Sequence, residues 1–377
     1  MPIYLDNAAT TSLDASVLDA MLPYLKQHYG NPSSTHAFGR AAKGAVETAR
    51  KKVADLLGVT PAEIVFTSGG TEADNLALRG AIDRFGVRHV CTTRLEHHAV
   101  LHTLESLAAA GSIQLHFLET DEKGRFAMPD LEAFLAAHPQ SLVSLMHGNN
   151  EIGNLIDLAE ISACVQAHGG YFHSDTVQTT GHFDLQLREV GVHYTAASAH
   201  KFHGPKGVGF AFIEKNHKIP AQQTGGSQER GIRAGTHNVA SIVGLAAALE
   251  KAIHSQETHR YHILQLKKSL HDGLRSRFKS ITFNGLSDDM AQSLYTVLSV
   301  SFPRTSATEM LLFQLDIRGI CASGGSACSS GSDQGSHVIR ALGQQDIIPV
   351  RFSFSKCNGI NEIETVLDTL TELLPDC

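Results

Sequence analysis

Through its first half the chain alternates short apolar runs with longer stretches of helical spacing. Strand-like runs fall at 63–66, 88–92, 113–118, 141–147, 170–174 and 194–197. Helix-like stretches lie between them at about 71–84, 99–109, 129–137, 157–168 and 184–190. Alternation of this kind builds βαβ units, so the pattern predicts an α/β fold with a mostly parallel sheet covered on both faces. Upstream, Ile3-Tyr-Leu5 reads as a short strand, Ser16 to His28 as a helix, and Gly39 to Leu57 as a long amphipathic helix stopped by Gly58.

Beyond the apolar run Val208 to Ile213 the pattern changes. Gly225 to Thr236 is a loop rich in Gly and Arg, and helical spacing follows at about 238–256 and 259–278. The last hundred residues mix strand patterns (281–283, 294–302, 349–354) with helical ones (306–316, 335–342, 361–374). Residues 14–256 are therefore expected to form a large α/β domain, and 257–377, joined by 1–13, a smaller α+β domain.

Composition narrows the class. A chain of 377 residues with 42% hydrophobic and 18% charged residues is globular and long enough for two domains. A net charge of −7 without a basic cluster gives no sign of a nucleic-acid partner. Six cysteines, at 91, 164, 321, 328, 357 and 377, show no CxxC pair, which suggests free thiols in a reducing compartment. The start, Met1-Pro-Ile-Tyr-Leu-Asp6, lacks the basic region of a signal peptide, and the longest apolar run, Val239 to Leu249, is too short to span a bilayer. The expectation is a cytoplasmic protein with no membrane partner.

Chemistry gathers at the ends of the strand-like runs. Ser198-Ala-His-Lys201 follows the apolar Tyr194-Thr-Ala-Ala197. A loop lysine is usually solvated, but apolar walls would lower its pKa from roughly 10.4 and leave an amine able to attack an aldehyde. Glu63-Ile-Val-Phe-Thr67 runs into Ser68-Gly-Gly-Thr-Glu72. An ordinary strand–helix turn reads this way too, but glycines before a helix N-terminus also let the backbone cradle a phosphate. Asp175 ends the apolar Phe172-His-Ser-Asp175; it would either cap the next helix or pair with a buried cation such as a pyridinium. Gln178 lies three residues on and could reach a ring hydroxyl. His97 follows a strand and could stack on a flat ring or shuttle a proton. Most of the 22 histidines must be incidental. His98 and His102 have a spacing that suits zinc, but no supporting cluster accompanies them, and no metal is expected. One ligand satisfies the whole set: pyridoxal 5'-phosphate needs a lysine for its aldehyde, an acid for its ring nitrogen, a phosphate cup and a stacking group.

The ordered motifs Tyr4-Leu-Asp-Asn-Ala-Ala-Thr-Thr11, Gly30-Asn-Pro-Ser-Ser34, Thr67-Ser-Gly-Gly-Thr-Glu72, Glu96-His97, Asn149-Asn-Glu-Ile-Gly153, His173-Ser-Asp175, the Lys201 stretch, Glu229-Arg-Gly-Ile-Arg-Ala-Gly-Thr236 and Gly325-Ser-Ala-Cys-Ser329 run nearly end to end. In them the chain resembles the cysteine desulfurases of the NifS/IscS type, in the class V aminotransferase group of pyridoxal-phosphate enzymes. The resemblance implies the aspartate-aminotransferase-like fold, fold type I. It implies that Lys201 holds the cofactor and moves protons, that Asp175 pairs with the ring nitrogen and Gln178 with the ring oxygen, and that His97 stacks. Gly70, Thr71, Ser198 and His200 would hold the phosphate, with Thr236 reaching the phosphate of the other subunit of a homodimer. Asn150 and Arg351 would hold the substrate carboxylate.

Cys328 distinguishes this chemistry from transamination. Ser323 to Ser336 is almost all Gly, Ser and Ala, a composition that cannot pack and predicts a mobile loop. Cys91 and Cys164, in apolar runs, read instead as small buried residues. Gly325 stands where relatives more often have Ser, and Ser227 where they often have Gly. The chain stops at Cys377, just after its last helix, where relatives dedicated to cluster assembly often carry a longer tail. The expected activity converts L-cysteine to L-alanine and leaves a persulfide on Cys328 for a sulfur-acceptor protein, in iron–sulfur cluster or other thio-cofactor synthesis. The alternatives are a selenocysteine lyase or other class V aminotransferase, and a catalytically silent scaffold.

Overall fold

The computed structural model describes residues 2–325 and 335–375. Its large sheet has seven strands in the order Ile64–Thr67, Gly209–Ile213, Tyr194–Ser198, Tyr171–Asp175, Leu142–Ser144, His89–Thr92, Gln114–Phe117. Gly209–Ile213 is antiparallel to both neighbours and every other pairing is parallel. Most of these strand residues are buried, as a sheet covered on both faces requires.

Alternate residues of the strands feed two cores. Phe66, Cys91, Val143, Ala197 and Phe210 enter one; Val65, Val90, Leu142, Ala196 and Ala211 enter the other. Over the first face, Val239–His254 packs against Ala15–Lys26 and Ala37–Leu56; over the second lie Gly70–Phe85 and His98–Ala109. Ala37–Leu56 ends where Gly58 takes a left-handed φ of 67°.

A separate core surrounds the antiparallel strands Thr282–Phe283, Val297–Pro303 and Ile347–Ser353, covered by Gln256–Arg277 and Ile360–Leu373. Leu5 belongs to it, because Ile3–Tyr4 pairs in parallel with Ile320–Cys321 and Asp6 bridges to Ser353. The N-terminal segment thus joins the late part of the chain and crosses to the large sheet at residues 6–11.

Three elements differ from the sequence reading. The helix expected at 306–316 begins only at Leu311. Thr308 and Thr305 bond each other and Thr308 Oγ1 donates to Pro303 O, a competing set of turn bonds that delays it. The strand expected at 141–147 ends at Ser144, and the Met146 N–H turns to Glu96 Oε1 at 2.8 Å. The helix expected at 184–190 is only Leu187–Val190. Cys164 is half-buried rather than buried, while Cys91 is fully buried.

Candidate active site

Parallel strands point their carboxyl ends the same way, and the cleft lies there. Its volume is about 230 Å³, and its lining includes Gly70, Thr71, His97, Asn150, Asp175, Gln178, Ser198, His200, Lys201 and Arg351. Ten residues singled out from the sequence therefore meet at one place. Thr236 is not among them: it is exposed on this chain, outside the cleft. Cys328 lies outside the described residues.

Tyr194–Ser198 leads directly into a short 3-10 turn, Ala199–Lys201, which carries Lys201 into the cleft. Its Nζ donates to the carbonyls of Ala8 at 2.5 Å and Ala9 at 2.9 Å. Gln178 Nε2 donates to the same Ala8 carbonyl at 3.0 Å. His200 faces Thr10, Nδ1 to Oγ1 at 3.1 Å, and burial first, then the Lys201 and Lys206 charges, holds its pKa down to about 4. The imidazole is neutral at physiological pH.

The cup for an anion is the start of Gly70–Phe85, whose first-turn N–H groups have no intrahelical acceptor. Small residues keep it open: a Cβ at position 70 would meet Val177 Cγ2 at 2.6 Å, and one at position 209 would meet Gly69 Cα at 2.8 Å. Ser198, at the end of the strand Tyr194–Ser198, closes the cup and is buried.

Asp175 is 4% exposed and accepts the Val177 N–H at 2.8 Å. Burial raises its pKa to about 6, against the pull of that N–H and of Lys201. Two more buried carboxyls crowd it. Asp74 and Glu96 are both pushed well above the usual range, chiefly by burial, and Asp175 adds repulsion to each. Among the described residues, Glu96 Oε2 and Asp74 Oδ1 have no hydrogen-bond partner. So much buried acid favours a cationic ligand atom beside Asp175.

His97 caps Val-containing helix His98–Ala109, and its Nδ1 accepts the Ala99 N–H at 3.1 Å. Burial, then Lys201, His337 and His102, lower its pKa to about 4. The neutral ring must then carry its proton on Nε2. His97 accordingly offers the cleft a donor.

Arg351 is 2% exposed, on the strand Ile347–Ser353. It donates to the Asn150 carbonyl at 2.8 Å and to Asp6 Oδ1 at 2.7 Å, while its Nε has no hydrogen-bond partner among the described residues. A guanidinium so held keeps N–H groups for a carboxylate. Asn150 contributes through its backbone as well as by lining the cleft, and Asn149 fixes its turn by accepting the Glu151 and Ile152 N–H groups at 2.8 and 3.0 Å. Two described residues on either side of 326–334, Ser323 and Ser336, bond close to this arginine. Ser323 exchanges backbone hydrogen bonds with Arg351, and Ser336 Oγ donates to Glu151 Oε2 at 2.5 Å.

The sequence reading missed Asp6, the carbonyls of Ala8 and Ala9, Asp74 and Glu96. Asp6, Ala8, Ala9 and Glu96 sat within quoted motifs, which were their only signal. Asp74 looked like an ordinary acid on an amphipathic helix.

The aminotransferase class-V family model matches residues 3–366. The chain belongs to this family. It is 38% identical to the putative cysteine desulfurase IscS 1 of Bacillus subtilis (strain 168), over 99% of this chain and 98% of that one. A solved NifS-like protein superposes with a TM-score of 0.91 at 35% identity, with both chains covered completely. A structure of SspA in complex with cysteine superposes with a TM-score of 0.80 at 29% identity, covering 94% of this chain and 99% of that one. The class V fold therefore accounts for the mostly parallel sheet and for the cleft at its carboxyl ends.

Proposed function

We propose that this class V protein is a pyridoxal-phosphate-dependent cysteine desulfurase, which converts L-cysteine to L-alanine and passes the sulfur to Cys328. The observation that carries the reading is the convergence, in one cleft, of a lysine, a buried carboxyl, an anion cup and a buried arginine. Full-length similarity to cysteine desulfurases supports it.

The residues fit the cofactor. Asp175, pushed up by burial among other acids, suits a protonated ring nitrogen, which would restore its negative charge. The cup at Gly70, Thr71, Ser198 and His200 suits a phosphate, and His97 suits a ring face. Gln178 Nε2 is held by Ala8 O but lies at the cleft wall, within the group that would surround the ring oxygen. Bound pyridoxal phosphate supplies an electron sink, which acidifies Cα of an attached amino acid and weakens its Cβ–S bond.

The chain's own groups do the rest. Lys201 Nζ would hold the cofactor's aldehyde and, once the substrate amine takes that place, would carry the Cα proton. Arg351 and Asn150 hold the substrate carboxylate, and Asp6 fixes the arginine. His97 donates through Nε2. The Cys328 thiolate attacks the substrate sulfur: a new S–S bond forms, the Cβ–S bond breaks, and the β-carbon gains a proton on the way to alanine. The persulfide is then taken by a nucleophile of an acceptor protein, in iron–sulfur cluster or other thio-cofactor synthesis.

The enzyme acts as a homodimer with shared sites, since exposed Thr236 is available to a second copy. It works in the cytoplasm; Cys91, Cys164, Cys321 and Cys357 are free thiols, and among the described residues no helix is long and apolar enough to cross a membrane. The deciding assay measures alanine and sulfide from L-cysteine with a thiol reductant and no keto acid. Equal amounts of both support the reading. Activity only with selenocysteine, or only with a keto acid, would select another class V enzyme, and no cofactor absorbance at all a silent scaffold.

A further inference from the structure

The strand register brings histidines together far from the cleft. His89 opens the strand His89–Thr92, whose other end leads toward His97. It pairs with Gln114 of the edge strand Gln114–Phe117. His116, two residues beyond Gln114, shares the face of His89. The helix Met128–Ala137 ends there, and its C-cap residue, His138, completes a group of three half-buried imidazoles. One nitrogen from each ring lies within 4.8 Å of the other two. His89 Nδ1 and His116 Nε2 are 3.1 Å apart, and the His89 and His138 rings stack at 4.0 Å. Phe134, one turn before His138, walls the group at 5.0 Å from the His116 ring.

Two ring nitrogens tetrahedrally bound to zinc at 2.0–2.1 Å would sit roughly 3.3 Å from each other, close to the spacing found here. Three imidazoles without a thiolate or carboxylate suit a borderline divalent ion rather than magnesium, calcium or copper(I). We propose that His89, His116 and His138 form a binding site for a divalent d-block cation of the zinc, nickel or copper type. The site clips the edge strand to its neighbour and to the end of the covering helix, and the fourth coordination position is left to solvent. Metal uptake needs a tautomer shift in the His89–His116 pair, so that neither facing nitrogen carries the proton now shared between them.

The test uses the cofactor-loaded full chain, stripped with a chelator, desalted and free of cysteine. Zinc is titrated against a chromophoric competitor in the wild type, in His116→Ala and in His138→Ala. The wild type should take up one equivalent more than either variant, or bind it at least about tenfold more tightly. Zinc should raise the thermal midpoint of the wild type alone, and all three proteins should form alanine from cysteine at the same rate. Equal uptake by all three proteins would overturn the proposal. So would uptake that survives both substitutions and disappears in His102→Ala, which would place the ion at His102, whose ring lies 4.4 Å from that of His98, itself 4.3 Å from His337. Cobalt in place of zinc gives a second reading: intense sulfur charge-transfer absorption in the wild type would mean cysteine ligation and would also refute it.

Discussion

Arg351 Nη2 donates to Asp6 Oδ1 at 2.7 Å, joining residues 345 apart in sequence. The arginine is buried and its guanidinium is aimed by this acid and by the Asn150 carbonyl. Removing the acid leaves the charge in place but frees its orientation. Arg351→Ala should raise KM for L-cysteine by about 10- to 100-fold, the worth of hydrogen bonds to a charged group. Asp6→Ala should raise KM by less and leave cofactor absorbance intact. Steady-state kinetics reads both; an unchanged KM in Arg351→Ala would refute the carboxylate role.

Lys201 Nζ rests on the Ala8 and Ala9 carbonyls, poised beside Asp175 in the same cleft. Borohydride treatment of the loaded wild type should fix the cofactor's mass on the Lys201 peptide. Lys201→Ala should lose that adduct and the visible absorbance, and with them alanine formation. An adduct on another lysine would move the anchor.

Cys328→Ser should retain cofactor absorbance and its change on adding cysteine, yet form neither alanine nor sulfide. A free thiol of pKa roughly 8.5 is a few per cent ionised at neutral pH, while a serine hydroxyl gives no comparable nucleophile. Mass spectrometry of wild type treated with cysteine, without reductant, should find one added sulfur on the Cys328 peptide. Sulfur on Cys321 instead, whose thiol burial pushes upward in pKa, would refute the assignment.

Much of this site was legible because each element came from a short apolar run ending in a polar residue. Tyr194–Ser198 before Lys201, Tyr171–Asp175 and Ile64–Thr67 all read that way, and their shared direction put the ends together. What stayed hidden depended on distant packing. The Ala8 carbonyl has no side-chain signature, and Asp74 reveals itself only once Gly70–Phe85 turns it onto His173, 3.3 Å away. The histidine group at the edge strand draws one residue from each of three elements, so no local spacing marks it.

The loop that ends in Thr236 is held by a buried acid. Glu229 takes two hydrogen bonds from Arg50, at 2.6 and 2.8 Å, and one from His237 at 2.7 Å. That frame presents Thr236 outward, where a second copy would receive it. Thr236→Val and Lys201→Ala, each defective alone, should regain part of the wild-type rate when mixed and reassembled, because one of the two sites then carries neither lesion. No recovery with proven mixed dimers, or full activity in a monomer, would contradict shared sites.

Lys267 gives a pH signature outside the chemistry. It is fully buried on Gln256–Arg277, with Nζ donating to Ser293 Oγ at 2.7 Å and to the Leu294 carbonyl at 2.8 Å. Burial lowers its pKa from 10.5 to about 7, opposed by Asp288 and Asp289. A lowered lysine pKa means that the folded state resists the proton. Below pH 7 both folded and unfolded chains hold it, and the penalty is constant. Between pH 7 and 10.5 the unfolded chain keeps a proton that the folded chain has lost, so this group makes stability rise with pH, by at most about 1.4 kcal/mol per unit. Lys267→Met should remove that rise. The substitution also leaves the Leu294 carbonyl without this donor, a loss of about 1–3 kcal/mol that does not depend on pH. Urea midpoints of both proteins from pH 7 to 9.5 separate the two effects: the offset reports the lost bond and the difference in slope reports the titration. Parallel curves would show that Lys267 stays charged inside the fold.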